Sequence, residues 1–297
     1  MSTRNRTPPL LEPYLRLPTP GSQLLLTGVL DSSPQWLVTR LLRSAFTPTE
    51  DSQPSEEQDV TVVLVSWMRD FEFWRSEARR GAGIDLARLA QQDKFVFVDG
   101  LTHLFPAPQQ QTQPPPTQPS KTVHLKDSSI SSTHSSLTSL LTTLSSSHPS
   151  RRIHLILDAP TLLLSTSSSP SASALSSLLL SLRSLVSTTT LVLEADFPFL
   201  AAALPDLQHK ATPLEAAHAA FVVQQAHIST WVLSLRPLDT GKARDVSGVI
   251  RVSRGGAWDD DVEDEVKEQE RKELEALYFV QNDGGVRVFE RGEASVG

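Results

Sequence analysis

Four acidic residues stand where an α/β protein would do chemistry: Asp70, Asp99, Asp158 and Asp196 each lie at or just beyond the end of a short apolar run. In open α/β sheets ligands bind outside the carboxyl ends of the strands, and acidic side chains there suit a magnesium–nucleotide site. Asp also caps helices and fills strand-to-helix turns in any such fold, which is the plainer account of each one alone. The deciding feature is the phosphate loop, and its first glycine would be Gly28, closing the run Gln23-Leu24-Leu25-Leu26-Thr27-Gly28. GxxxxGKS/T needs glycines for backbone approach, a lysine for the β/γ-phosphates and a hydroxyl for the metal. Counted from Gly28, those last three positions hold Ser33, Pro34 and Gln35. Proline has no amide to donate, glutamine does not replace the hydroxyl, and Asp31 repels phosphate. No other such loop occurs, because Ala243 follows Gly241-Lys242. The loop at Gly28, Ser33, Pro34 and Gln35 is therefore degenerate, and neither catalysis, a cofactor nor a metal is expected of this chain.

Other catalytic signatures are missing too. There is no GxSxG elbow for a serine nucleophile and no glycine-rich dinucleotide loop after the first apolar run. His209, His218 and His227 are nine residues apart, and His103, His124, His134, His148 and His154 have no ligand spacing. Zero cysteines exclude a disulfide framework, a thiolate metal site and a cysteine nucleophile. Asn5-Arg6-Thr7 fits a glycosylation sequon, which without a secretory route is a chance match.

The densest group of unusual side chains runs from Ser66 to Gly81. Arginines interleaved with tryptophan and phenylalanine suit a partner-binding face, with apolar area from the rings and bidentate pairing from the guanidinium groups. Arg69, Asp70, Phe71, Phe73, Trp74, Arg75, Arg79 and Arg80 are the candidate interface residues. Periodicity alone offers a second account, in which Phe71, Trp74 and Ala78 form the buried stripe of a helix and leave Arg75 and Arg79 outside.

The elements that would position these residues can be read in order. Val60 to Ser66 is a continuous β-branched run, as expected of a strand buried on both faces. Phe95 to Val98, Ile153 to Leu157 and Leu191 to Leu193 repeat the pattern after the first run. Between them lie helical spacings: Leu37, Leu41, Leu42 and Ala45; then Phe71 to Arg80; then leucines 137, 140, 141 and 144; then leucines 175, 178, 179, 182 and 185. Thr212-Pro213-Leu214-Glu215 is a capping box opening a helix through about Gln225. Ile228 to Leu235 and Ser247 to Val252 read as strands, and Asn282-Asp283-Gly284-Gly285 as the turn of a final hairpin. Five β-then-helix units followed by antiparallel strands give a doubly wound, mostly parallel sheet flanked by helices, with antiparallel C-terminal strands.

With 297 residues, 39% of them hydrophobic, the chain can bury one large core. The expected organisation is a flexible leader over 1–20 and a single domain over 21–297, with disordered loops near 47–58, 106–121, 165–174 and 254–270. A net charge of −7 argues against a stand-alone nucleic-acid binder. Asp259 to Glu275 holds ten acidic and three basic residues, so the acidity is local to one solvated segment or interaction tail. No apolar run is long enough to span a membrane and the N-terminus is polar, so the expected location is cytoplasmic, or nuclear as well.

Val63 to Phe105 (VLVSWMRDFEFWRSEARRGAGIDLARLAQQDKFVFVDGLTHLF) resembles the fungal form of Elongator complex protein 6. IHLILDAP (Ile153 to Pro160) and LVLEADFP (Leu191 to Pro198) follow in the matching order. The resemblance covers about Leu24 to Leu235 and implies a RecA-like fold without a working phosphate loop. It further implies a place beside two other RecA-like subunits in a heterohexameric ring, accessory to a larger Elongator core that modifies wobble uridines of tRNA. That ring binds tRNA; the resemblance carries no individual tRNA contact onto a residue here. It puts Asp158 at the acidic end of the magnesium-coordinating strand. A RecA-like ATPase with an unorthodox nucleotide site and a RecA-like DNA-repair adaptor are the alternatives.

Overall fold

Strands whose every residue is buried must be covered on both faces, and three of them form the early part of the sheet: β1 (Gln23–Gly28), β2 (Val60–Ser66) and β3 (Phe95–Asp99). The computed structural model describes residues 7–16, 19–47, 59–105, 122–206, 210–241, 243–258 and 272–290. The remaining strands are β4 (Thr122–His124), β5 (Arg152–Asp158), β6 (Thr188–Glu194), β7 (Trp231–Arg236), β8 (Gly248–Arg254), β9 (Leu274–Val280) and β10 (Val286–Glu290). They form one ten-stranded sheet in the order β10-β9-β8-β7-β1-β6-β5-β2-β3-β4. Pairing is parallel from β7 to β4 and antiparallel from β7 through β8 and β9 to β10. This is the expected doubly wound α/β architecture with its antiparallel extension.

Helices α1 (Glu12–Leu15), α2 (Gln35–Phe46), α3 (Phe71–Glu77) and α4 (Leu86–Gln91) cover one face, where Leu24, Leu26, Val62, Leu64 and Phe97 point. Helices α5 (Ile130–Ser147), α6 (Leu162–Ser165), α7 (Ala172–Arg183), α8 (Phe197–Leu200) and α9 (Pro213–Ile228) line the other, over Leu25, Val63, Val65, Leu155 and Leu191. The alternation of strand side chains divides one continuous apolar run between two cores. The capping box at Thr212 forms as read, with Glu215 reaching back to the Thr212 amide. The Asn282 to Gly285 turn also forms, with Gly284 at φ 84°.

Several expectations need correcting. The leader is not flexible over 9–15: Leu11, Tyr14 and Leu15 lie at helical spacing, are buried in the α2-side core, and Tyr14 meets Trp231 edge-on at 5.1 Å. The stretch 165–174 is not disordered either; Ser171 caps α7 by accepting from the Ala174 amide. Serine reads as low complexity but serves here as turn and cap. Third, α9 runs through Ile228, so β7 starts only at Trp231. The loop expected over 254–270 is ordered in its first residues, since Arg254 ends β8, the Gly255 amide donates to the Thr230 carbonyl and Trp258 meets Trp231 at 4.6 Å; the rest of it lies outside the described residues, as do 48–58 of the loop expected over 47–58 and all of 106–121. Strand β4, three residues at the sheet edge, had no counterpart in the sequence reading, being too short for periodicity to register.

Candidate functional site

Because β5 and β2 are parallel neighbours in register Ser66↔Asp158, the two side chains meet at the carboxyl edge. Ser66 Oγ donates to Asp158 Oδ2 at 2.7 Å and itself accepts from the Arg69 amide at 2.9 Å. That turn brings the Arg69 guanidinium back over the strand end, with Nη1 at 3.4 Å from Asp158 Oδ2 and 3.5 Å from Oδ1. The side chain of Asp158 is 2% exposed and that of Arg69 20%. Burial pushes the Asp158 carboxyl above the ordinary aspartate range, against the opposing pull of Arg69 and the Ser66 bond. One strand over, burial chiefly, with the nearby Asp158 charge, raises Glu194 as well, while Thr161 Oγ1 donates to it at 3.3 Å. Ala159, completely buried at φ 57°, fixes the sharp exit of the chain from β5.

The degenerate loop closes this site from the other side. Val29 and Ser32 pair across a tight turn, the Ser32 amide donating to the Val29 carbonyl at 2.8 Å, with Asp31 left-handed at φ 70°. The turn folds back on Gly28: a Cβ there would lie 2.6 Å from Pro34 Cδ and 2.7 Å from the Ser32 carbonyl oxygen. A phosphate cradle requires amides splayed toward the anion, whereas here Pro34 has no amide to offer and the Ser32 amide is spent on the Val29 carbonyl within the turn. The Gln35 side chain lies against the Arg69 guanidinium, and with its amide oxygen assigned to that side, as the surrounding donors require, it accepts from Arg69 Nε at 3.0 Å. Arg69 thus joins Asp158 to the residue that stands in place of the loop hydroxyl.

The acidic strand ends separate by role. Asp70 caps α3 by accepting from the Phe73 amide, and Asp99 accepts from the Leu101 and Thr102 amides. Asp196 accepts from the Leu30 amide at 2.8 Å and so pins the β1–α2 turn. Asp70 and Asp99 make the turns at their own strand ends, as the plainer account held, Asp99 also pairing with His124 at 3.1 Å; Asp196 makes no cap to its own helix and holds the neighbouring turn instead, while Asp158 is buried against an arginine. Among the described residues no group of three or more His, Cys, Asp or Glu could hold a metal ion.

The Arg/aromatic segment sorts along its helical face. Phe71, Trp74 and Ala78 are buried in the core, and Phe73 packs half-buried against it. Phe71 and Trp74 are accordingly committed inside the chain and not presented to a partner, because their spacing turns both inward. Arg75 pairs with Glu72 at 2.5 Å and Arg80 with Glu77 at 2.7 Å on the exposed side, where Arg79 also lies. Arg69 belongs to the strand-end site instead. Sequence reasoning missed Ser66 and Glu194 as members of the site and, away from it, the buried Arg40; Ser66 stands at the end of the β-branched run of β2, and its place opposite Asp158 follows from the parallel register of β2 with β5.

A family model described as Elongation complex protein 6 matches residues 57–273. No curated protein matches the chain. The match spans β2 through most of the acidic segment and includes Ser66, Arg69, Asp158 and Glu194. The chain belongs to that family, which marks it as a subunit of the Elongator complex.

Proposed function

From that membership we propose that the chain is a non-catalytic, RecA-like member of a heterohexameric accessory ring, with two other RecA-like subunits, supporting tRNA wobble-uridine modification. The observation that carries the non-catalytic part is Arg69 spanning Asp158 and Gln35 beneath a turn closed on Gly28. In a working nucleotide site the lysine of the loop and a metal would neutralise the phosphates, and the strand-end carboxylate would face the metal. Here the carboxylate faces a guanidinium of its own chain, so the charge it would offer a metal is already compensated. What stays of the fold is a rigid sheet and its helices, suited to being held between neighbours. A location in cytoplasm and nucleus goes with this reading.

Co-expression with the two RecA-like partners, followed by mass measurement of the intact assembly, tests it. Two copies of each of three subunits are expected. A chain that purifies as a monomer and gains no mass with the partners present overturns the proposal. The same assembly should bind tRNA in preference to single-stranded DNA, the reverse preference favouring a DNA-repair adaptor.

A further inference from the structure

Two carboxyl groups and a single guanidinium meet at the ends of β5 and β6. Asp158 stands opposite Val192 in the parallel ladder, so Glu194, two residues further along β6, lies on the same face of the sheet as Asp158. The exit of β5 wraps both, because Thr161, three residues after Asp158 and itself buried, donates to Glu194 Oε2 at 3.3 Å. Each carboxyl therefore has a hydroxyl donor, Ser66 for Asp158 and Thr161 for Glu194. Among the described residues Arg69 is the cation that acts on both, and it touches Asp158. The other titratable groups around this edge are Asp70 at the cap of α3, Asp31 and Asp196 on the β1–α2 and β6–α8 turns, and His218 on α9. His218 meets the Glu194 carbonyl through Nε2 at 2.9 Å, and burial lowers its ionisation, so it adds no positive charge at neutral pH.

Two negative charges against one positive charge leave an excess in a site closed to water, where like charges do not both stay ionised in place. Burial raises both carboxyls above their ordinary ranges, and the Asp158 charge adds to the rise at Glu194. We infer that Asp158 and Glu194 share a single proton beside Arg69, and that this proton is a pH-sensitive latch on the ends of β5 and β6. With the proton bound, the pair carries one negative charge and Arg69 balances it. When the proton leaves, repulsion turns Glu194 outward, since it is half-buried while the Asp158 side chain is 2% exposed. Asp196, two residues beyond Glu194, accepts from the Leu30 amide at 2.8 Å, so movement of the β6 end reaches the β1–α2 turn. The edge is tight in acid and loosens in alkali. The latch belongs to this chain alone and stands or falls apart from the ring reading.

Carbon-13 NMR of the full chain, labelled at its aspartate and glutamate carboxyls and titrated from about pH 4 to 9, reads the proton directly. The pair is expected to keep one proton after exposed carboxyls such as that of Glu72 have lost theirs. Both members titrating together with Glu72 overturns the inference. Melting against pH gives a second reading, with Glu194→Gln beside the wild type and Glu72→Gln as control. A proton held by the folded chain and lost by the unfolded one makes stability fall as pH rises through the folded ionisation range. Near neutral pH the wild type should release about one proton more on unfolding than Glu194→Gln, while Glu72→Gln keeps the wild-type slope. An unchanged slope in a folded Glu194→Gln overturns the inference, and if that variant does not fold, the wild-type titration decides alone. Exchange protection of the Leu30 amide should drop as the proton leaves; constant protection through that step overturns the latch.

Discussion

Arg40 and Arg69 are both drawn out of bulk water, and opposite chemistry holds them. Arg69 meets a carboxylate, Asp158, at 3.4 Å, at the strand ends where the fold class places ligands. Arg40, on α2, is fully buried and meets neutral carbonyls: its Nη1 donates to Gly81 and its Nη2 to Gly284 at 3.1 Å. Gly81 lies in the π-helical turn Ala78–Ala82 and Gly284 in the β9–β10 turn, so one guanidinium bolts α2 to both. Burial chiefly, with Arg43 nearby, lowers the Arg40 ionisation to about 10, which leaves it charged at neutral pH. The hairpin must come very near: a Cβ on Gly284 would lie 3.0 Å from the Arg80 carbonyl. An ion pair fixes two points of opposite sign, whereas the five-donor fork of an arginine can also gather several backbone ends at once. Arg69 neutralises a site, and Arg40 assembles a fold.

The comparison predicts its largest effect at Arg40. Arg40→Met should cost about 3–5 kcal/mol in urea denaturation, because it strands two buried carbonyls at once. Hydrogen exchange should show the loss spreading to the Gln281 to Gly285 turn. A cost below about 1 kcal/mol would remove Arg40 from the account as a fastening.

His154 sharpens the contrast as a buried base that sheds its charge. Enclosed by Thr188 and Thr190, it has its ionisation lowered by burial to about 4, from 6.5. The unfolded chain then binds the proton first, so stability is lost as pH falls from about 6.5 to 4, by up to about 3 kcal/mol. Melting midpoints across that range should fall in the wild type and flatten in His154→Gln.

Arg69→Ala is expected to cost about 1–3 kcal/mol at pH 7, more than Asp158→Asn, since it leaves a buried carboxylate with Ser66 as its remaining side-chain donor. The sign of the pH effect differs from that of His154. Asp158 titrates above its unfolded value, so it opposes folding increasingly as pH rises through the folded value, and losing Arg69 moves that value higher still. The deficit of Arg69→Ala should therefore shrink as pH is lowered toward the ordinary carboxylate range. A pH-independent deficit would show that the pair is not electrostatic.

The exposed arginines give the smallest effect. Arg75→Ala and Arg80→Ala each break one solvent-exposed pair within three residues, and each should change stability by less than about 0.5 kcal/mol in denaturation.

Much of the sheet was legible because a strand buried on both faces reads as an unbroken β-branched run, as Val60 to Ser66 does. The reading of the loop as degenerate rests on residue types alone, since Pro34 and Gln35 lack what phosphate chemistry requires. The Arg69–Asp158 pair was half-legible: both residues stood out by type, but their meeting depends on a register across 89 positions of chain. Tyr14 and Leu11 were hidden in a proline-rich leader whose composition outweighed a short helical spacing. Arg40 was hidden for a physical reason, since the Gly81 and Gly284 groups it holds are backbone carbonyls and any residue type supplies those.

The account stands most directly on a calorimetric titration of the purified chain with Mg-ATP, run beside a phosphate-release assay. A site filled by Arg69 and closed on Gly28 predicts no saturable heat at millimolar nucleotide and no release. One-to-one binding that disappears in Asp158→Asn, with turnover by the chain alone, would contradict it.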